Sequence, residues 1–239
     1  GHAIMTALMM IRAGMVDIVI VGGSEAPICH GSFFAWQGLR VLTKDLCRPF
    51  SIRRGGMALA EGAATLVIES ESHAKARGAK VYAELAGCGM SSDAFHIVQP
   101  SVEGPQAAIR NALKDAKINH KDISYINAHG SGTAKNDPTE TAAIKNIFGD
   151  HAKNIAVSST KSMHGHLLGA ASALELIVSI VALNKQIAPP TMHYLGEDPD
   201  CDLDYVPNKA REMPINSVLS HSFAFGGLNT VIAIKKAQL

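Results

Sequence analysis

Three polar clusters hold the residues able to do chemistry in this 239-residue sequence. The first is Asn127-Ala128-His129-Gly130-Ser131-Gly132-Thr133, a histidine among small residues directly after an apolar run. Such a histidine is open to a ligand, and the hydroxyls of Ser131 and Thr133 could hold a polar ligand chain. A histidine that only satisfies loop carbonyls fits this segment equally well. The second cluster is Ser158-Ser159-Thr160-Lys161-Ser162-Met163-His164-Gly165-His166. It precedes a Leu-, Ala- and Gly-rich stretch too apolar to be exposed. A lysine buried there must be paired or bear a large desolvation cost. Glu175, at a position otherwise apolar all round, is its natural partner, and the plain reading is a Lys–Glu staple with no part in catalysis. His164 and His166 stand at i, i+2 with no nearby Cys or Asp, which is not a zinc pattern, so no metal is expected. The third cluster is Phe223-Ala224-Phe225-Gly226-Gly227-Leu228-Asn229. Its two glycines make a tight turn whose backbone N–H groups could form an oxyanion hole, or simply close a hairpin.

The elements that must position these clusters alternate. Apolar runs ended by glycine or polar residues read as strands: DIVIVGGSEA, AATLVIES, VYAELAGCGMSSD, ISYINAHGSGT, IAVSSTKSMHGH and NSVLSHSFAFGGLNTVIAIKK. Between them lie helical stretches. VEGPQAAIRNALKDA has Pro105 near its first turn. DPTETAAIKNIF is expected to start with Asp137 as N-cap and Pro138 in the first position. LLGAASALELIVSIVALNKQ reads as a long buried helix, and GSFFAWQGLRVL as helix or loop. The alternation predicts α/β layers, with the three clusters at strand ends. A faint internal echo links Val16–Ala26 and Ser217–Asn229, both strands running into Gly-Gly.

Composition narrows the class. Apolar residues make up 47% and charged residues 18%, which suits a large buried core. The net charge of +1, without a Lys/Arg run, gives no reason to expect nucleic acid. Cys29, Cys47, Cys88 and Cys201 show no CxxC spacing and read as buried, inert thiols in a reducing, cytoplasmic setting. No stretch of about 20 uncharged apolar residues is present, so no membrane span is expected. The first helix starts without an N-cap, as though in mid-element.

The motifs NAHGSGT, SSTKSMHGHLLGAA and SFAFGGLN, in that order, with MSSDAFH and CDLDYVP, resemble the elongating β-ketoacyl-[acyl carrier protein] synthases. EGPQAAIR, NDPTETAAIK and SMHGH are similar to the rhizobial nodulation ketosynthases within that group. The resemblance covers essentially the whole chain. It implies an α/β, thiolase-like fold layered α-β-α-β-α, here partial: residues 1–78 as the remainder of the first half and 79–239 as the second. It implies a homodimer that serves acyl carrier protein, with acyl and malonyl thioesters as substrates and no resident organic cofactor. Phosphopantetheine arrives on the carrier, and the family allows a monovalent cation whose ligands the sequence does not assign.

The resemblance also distributes roles. His129 and His166 match the two histidines that donate to the malonyl thioester oxygen. Lys161, with Glu175, matches the lysine that sets the local charge. Phe225 matches the gating phenylalanine, Ser131 and Thr133 the positions along the pantetheine arm, and Trp36 an aromatic near the acyl pocket. The family's nucleophilic cysteine falls a few residues before Gly1-His2-Ala3-Ile4, so the chain as it stands is expected to be inactive alone. Ser131-Gly132, His164 and Leu228 depart from residues common in the family. Two other readings carry weight: a non-catalytic chain-length partner in a heterodimer, against which the retained His129, Lys161 and His166 argue, and a thiolase-type degradative enzyme, which would need a cysteine that SHSFAFGGLN lacks. Arg40, Lys44, Arg48, Arg53 and Arg54 are candidates for docking an acidic carrier, or a solvated loop.

Overall fold

Apolar runs that end in glycine become strands, and the amphipathic stretches between them become helices. A computed structural model describes residues 1–237. The first part contains α1 (His2–Arg12), β1 (Ile18–Glu25), α2 (His30–Gly38), β2 (Gly62–Glu69) and α3 (Glu71–Ala76). The middle contains β3 (Glu84–Ser92), α4 (Glu103–Ala116), β4 (Tyr125–Asn127), α5 (Asn136–Phe148), β5 (Ala156–Ser158) and α6 (Lys161–His164). The last part contains α7 (Ala171–Lys185), β6 (Ile187–Ala188), β7 (Arg211–Glu212), β8 (Ser217–Ala224) and β9 (Leu228–Lys235).

A five-stranded mixed sheet, ordered β3-β9-β8-β4-β5, forms the centre. β3, β9 and β8 run antiparallel, whereas β4 is parallel to both β8 and β5. β4, β5 and much of β8 are buried on both faces, so that burial runs continuously along them rather than alternating. α4 packs on one face so closely that a Cβ at Gly89 would collide with the Ala108 carbonyl. α7 packs on the other face and is covered in turn by the antiparallel β1–β2 ribbon. Ile4, Val21, Ala64, Leu176, Val218 and Ile232 share one core between sheet, helices and ribbon. Each of the Ile, Val and Leu side chains contributes about 1.5–3 kcal/mol. The ribbon's other face is open: Ile20 and Val67, paired across it, are both exposed.

Three local details differ from the sequence reading. Ser158–His166 was expected to be strand and loop, yet Lys161–His164 forms a helical turn. Ser162 Oγ donates to the Ser159 carbonyl, and the His164 and Gly165 amides close on Thr160 and Lys161. Asp137 is not the N-cap of α5. The helix begins at Asn136, whose N–H is taken by Thr133 Oγ1, and the buried Asp137 carboxylate turns to other amides. The stretch Leu168–Lys185 is long and apolar enough by composition to cross a membrane. Half of it is buried inside the fold, and it carries Glu175, so it serves here as a core helix.

Candidate active site

Parallel register brings the three clusters together. Asn127 at the end of β4 pairs with Ser158 at the end of β5 and with Ser220 in β8. The segments leaving all three strands therefore emerge at one end of the sheet, where α/β folds place their sites. The segments are also tied to one another. The Ala128 N–H donates to the Ser158 carbonyl at 2.9 Å, and Ser159 Oγ donates to the Gly130 carbonyl at 2.6 Å. Gly130 has φ +39°, and a Cβ there would lie 2.8 Å from the Phe50 ring. Only glycine suits that turn.

The His129 and His166 rings lie 5.3 Å apart, nearly perpendicular at 77°. His129 is buried and His166 half-buried, and both pKa values lie well below the ordinary histidine value, desolvation being the main cause and the Lys161 charge the next. They are neutral at physiological pH. The His166 tautomer follows from one bond: the Leu168 N–H donates to Nδ1 at 3.1 Å. The ring proton therefore sits on Nε2, leaving a neutral donor. The His166 backbone is clamped to the 58–60 segment, its N–H donating to the Ala58 carbonyl and its carbonyl accepting from Ala60.

Lys161 and Glu175 are both fully buried and form an ion pair through Nζ and Oε1. Burial pushes the Glu175 carboxyl up to about 7, with Lys161 pulling it back down. Glu175 Oε2 has no partner among the described residues. The Lys–Glu pair read from the sequence is thus present, and its ammonium lies close enough to act on both imidazoles. Gly1 packs against Thr230 and Ser172 near this pair, and a Cβ on it would collide with Thr230 Oγ1.

Phe225 starts the turn between β8 and β9. It is 38% exposed, and its ring lies 5.6 Å from that of Trp36. The turn is braced by the MSSDAFH segment. Asn229 Nδ2 donates to Asp93 Oδ2 at 3.0 Å, the Asp93 N–H donates to the Gly227 carbonyl, and the Gly226 N–H donates to the Ile97 carbonyl. In the CDLDYVP segment, Tyr205 stacks on Phe50 at 4.2 Å and bonds to Thr141 through its hydroxyl. Ser131 and Thr133 lie in the His129 loop with their hydroxyls 2.9 Å apart, and the Thr133 oxygen also caps α5. Of the five basic docking candidates, Arg54 pairs with Asp198 and Arg48 with Asp45, while Arg40, Lys44 and Arg53 form no ion pair among the described residues.

Two carboxylates and a histidine escaped the sequence reading. Glu140 Oε1 and Oε2 accept from the consecutive His129 and Gly130 amides at 2.9 and 2.8 Å. Asp137 accepts from the Gly132 and Phe50 amides at 3.1 and 2.7 Å, and burial raises its pKa to about 6. Their i, i+3 spacing puts both on one face of α5, and that spacing was the available signal. His221 in β8 completes the group. Of the four cysteines read as buried, Cys47 and Cys201 are, and burial lifts their pKa values to about 11 and about 12; Cys88 is half-buried, and Cys29, just ahead of α2, is exposed.

His164 is held by both nitrogens, at the Gly165 carbonyl and at Thr160 Oγ1. Burial, and then Lys161, lowers its pKa from 6.5 to about 4. The unfolded chain therefore binds a proton that the fold refuses. This contribution to stability is complete above about pH 6.5 and is lost as pH falls towards 4. Compared with His164→Asn, the unsubstituted protein is expected to lose more of its urea midpoint between about pH 7 and about pH 5. Parallel losses would mean that the ring titrates alike in both states.

A buried lysine, two neutral imidazoles and a glycine turn thus meet at one end of a covered mixed sheet, in a thiolase-like fold. The models of the beta-ketoacyl synthase N-terminal and C-terminal domains match residues 1–74 and 82–195. The chain belongs to the beta-ketoacyl synthase family. It is 52% identical to nodulation protein E of Rhizobium sp. (strain N33) over 236 residues, and 46% identical to 3-oxoacyl-[acyl-carrier-protein] synthase 2 of Coxiella burnetii over 243. These alignments cover 99% and 98% of the chain but only 59% of either relative. Among solved structures it is similar to a type II PKS ketosynthase in complex with its acyl-carrier protein and bound to the hexaketide, with TM-score 0.97, 40% identity, and coverage of 99% of this chain and 60% of that one. It is also similar to the ishigamide ketosynthase/chain length factor, with TM-score 0.95, 41% identity and coverage of 99% and 58%.

Proposed function

We propose that this chain is the larger part of a 3-oxoacyl-[acyl-carrier-protein] synthase that performs decarboxylative Claisen condensation in fatty acid elongation. The observation that carries the reading is the neutral Nε2–H of His166, fixed by the Leu168 amide, beside the neutral His129 ring. Donors aimed at charge that develops only in the transition state, in a dry site, accelerate the step. In this reading an acyl chain is first held as a thioester on a cysteine thiol. Malonyl carried on acyl carrier protein then binds with its thioester oxygen between His129 and His166. The C–C bond to the carboxylate breaks, carbon dioxide leaves, and the electron pair is held as an enolate by the two imidazoles. The carbanion carbon attacks the acyl thioester and expels the cysteine thiolate. The product is a 3-oxoacyl chain two carbons longer on the carrier. The Phe225 N–H faces the acyl thioester oxygen, Trp36 lines the acyl pocket, and Ser131 and Thr133 follow the pantetheine arm.

The thiol of this reading is none of the four described cysteines. The resemblance puts it just ahead of Gly1, where the chain already packs near Glu175. We read residues 1–78 as the remainder of the first thiolase-like half, which carries the β1–β2 ribbon, and 79–239 as the second. The assembly is a homodimer in a reducing, cytoplasmic setting, in keeping with four free thiols. A second reading, a chain-length partner of a heterodimer, draws on the likeness to a ketosynthase/chain length factor. The intact His129–His166–Lys161 group favours the enzyme. Peptide mapping of the intact polypeptide after alkylation tests the choice. An alkylated cysteine within a few residues ahead of Gly1 supports the synthase. Another residue there, or a native start at Gly1, removes it.

A further inference from the structure

We infer that His221 is a positioning residue for His129, acting through Glu140. The inference deepens the reading above and rests on His129 being an imidazole that meets the substrate thioester. His221 sits in β8 with no exposed surface, so its polar ring must be held or must destabilise the strand. Its Nδ1 lies 3.0 Å from Glu140 Oε1, and its Nε2 has no partner among the described residues. A carboxylate accepts, so Nδ1 carries the proton and donates.

That places His221 at the back of the carboxylate that grips the His129 loop. Glu140 Oε1 receives the His129 N–H and His221 Nδ1, while Oε2 receives the Gly130 N–H and, at 3.5 Å, Asn136 Nδ2. The terminal torsion of a glutamate is soft and nearly two-fold, so two amides in line do not by themselves fix its plane. A side-chain donor on each oxygen does, the long Asn136 bond at 3.5 Å on Oε2 and the shorter His221 bond from β8 at 3.0 Å on Oε1. With the plane set, the two oxygens meet consecutive amides and hold Gly130 at φ +39°. The His129 ring leaves the loop in one direction. Phe223 supplies a second link, its ring lying 5.3 Å from His221 and 5.9 Å from His129. A reacting donor misplaced by about 1 Å loses about 10²-fold in rate, so a carboxylate that swings would be felt at the substrate.

The side-chain geometry provides the test. Asn presents its amide nitrogen the same number of bonds from Cα as His Nδ1, whereas Gln presents its own near Nε2. Leu fills the space without donating. His221→Asn, His221→Gln and His221→Leu would be made in the full-length polypeptide. For each, kcat and KM for malonyl-thioester decarboxylation, hydrogen exchange at the His129 and Gly130 amides, and melting temperature would be read. The Asn variant is expected to keep kcat and slow exchange. Gln and Leu are expected to lose about 10- to 100-fold in kcat at unchanged KM, with at least about tenfold faster exchange at those two amides. Unchanged kcat and exchange in Leu or Gln overturns the inference. So does an Asn variant as impaired as Leu, which would mark His221 as packing alone. If the unsubstituted polypeptide decarboxylates nothing, the proposed function falls, and exchange at the two amides still decides the role of His221.

Discussion

His166→Ala, made in the full-length polypeptide, is expected to lower malonyl-thioester decarboxylation by about 10²–10³-fold while the thiol still accepts its acyl chain. The two steps separate because they use different donors. In the proposed function, acyl transfer to the thiol relies on the turn at Phe225, whereas decarboxylation relies on the paired imidazoles. His166 is the better defined of the two, because the Leu168 amide occupies Nδ1 and leaves the proton on Nε2. Alanine removes that donor without disturbing the backbone clamp to Ala58 and Ala60. His166→Gln returns an amide donor near Nε2 and should recover part of the rate. Mass spectrometry of the acyl-enzyme and release of labelled carbon dioxide measure the two steps independently. Undiminished carbon dioxide release from the alanine variant would remove His166 from the mechanism.

Lys161→Ala should be the most destabilising single change, about 3–5 kcal/mol, because it leaves a fully buried carboxylate without its cation. Its pH dependence is distinctive. Burial already holds the Glu175 carboxyl above its ordinary 4.5, at about 7, and Lys161 opposes that shift. Without the lysine the carboxyl rises further. A raised carboxyl pKa means that the fold binds the proton more tightly than the unfolded chain does. The variant's deficit is therefore smallest below about pH 4.5 and grows as pH rises through and beyond 7. Urea midpoints at acid and alkaline pH read this directly, and a deficit independent of pH would mean that Glu175 is not the group left stranded. Lys161→Met combined with Glu175→Leu removes both charges at similar volume and should restore most of the stability. It should not restore activity, since both imidazoles would lose the ammonium beside them.

The parts of this site that were legible in the sequence were those marked by local contradiction. A glutamate inside a helix of Leu, Ile and Ala has to find a cation, and the nearest lysine upstream is the one it finds. A histidine between a buried strand and small residues has to face something. The glycine pair after Phe225 had to be a turn. What stayed hidden depends on register. His221 and Glu140 are 81 residues apart and meet only because β8 lies beside β4 in parallel and α5 follows β4. Asp137 was visible as a helix-start residue, but its carboxylate serves amides brought from the 50 and 132 regions, which no local pattern announces. The Lys161–His164 turn was missed for a related reason: its residues have no helical periodicity, and side-chain bonds from Ser162 and His164 hold it instead.

The β1–β2 ribbon sets a practical condition on work with these residues alone. Its inner face is locked into the core, but β1 pairs only with β2 among the described residues, and Ile18, Ile20 and Val67 meet water on the outside. Unpaired backbone beside exposed β-branched side chains is a template on which another chain can grow, with no proline in either strand and carboxylates, Glu25 and Glu69, only at the strand ends. A near-neutral net charge of +1 offers little repulsion to oppose such growth. Dilution, not added salt, is the condition that keeps such a surface apart.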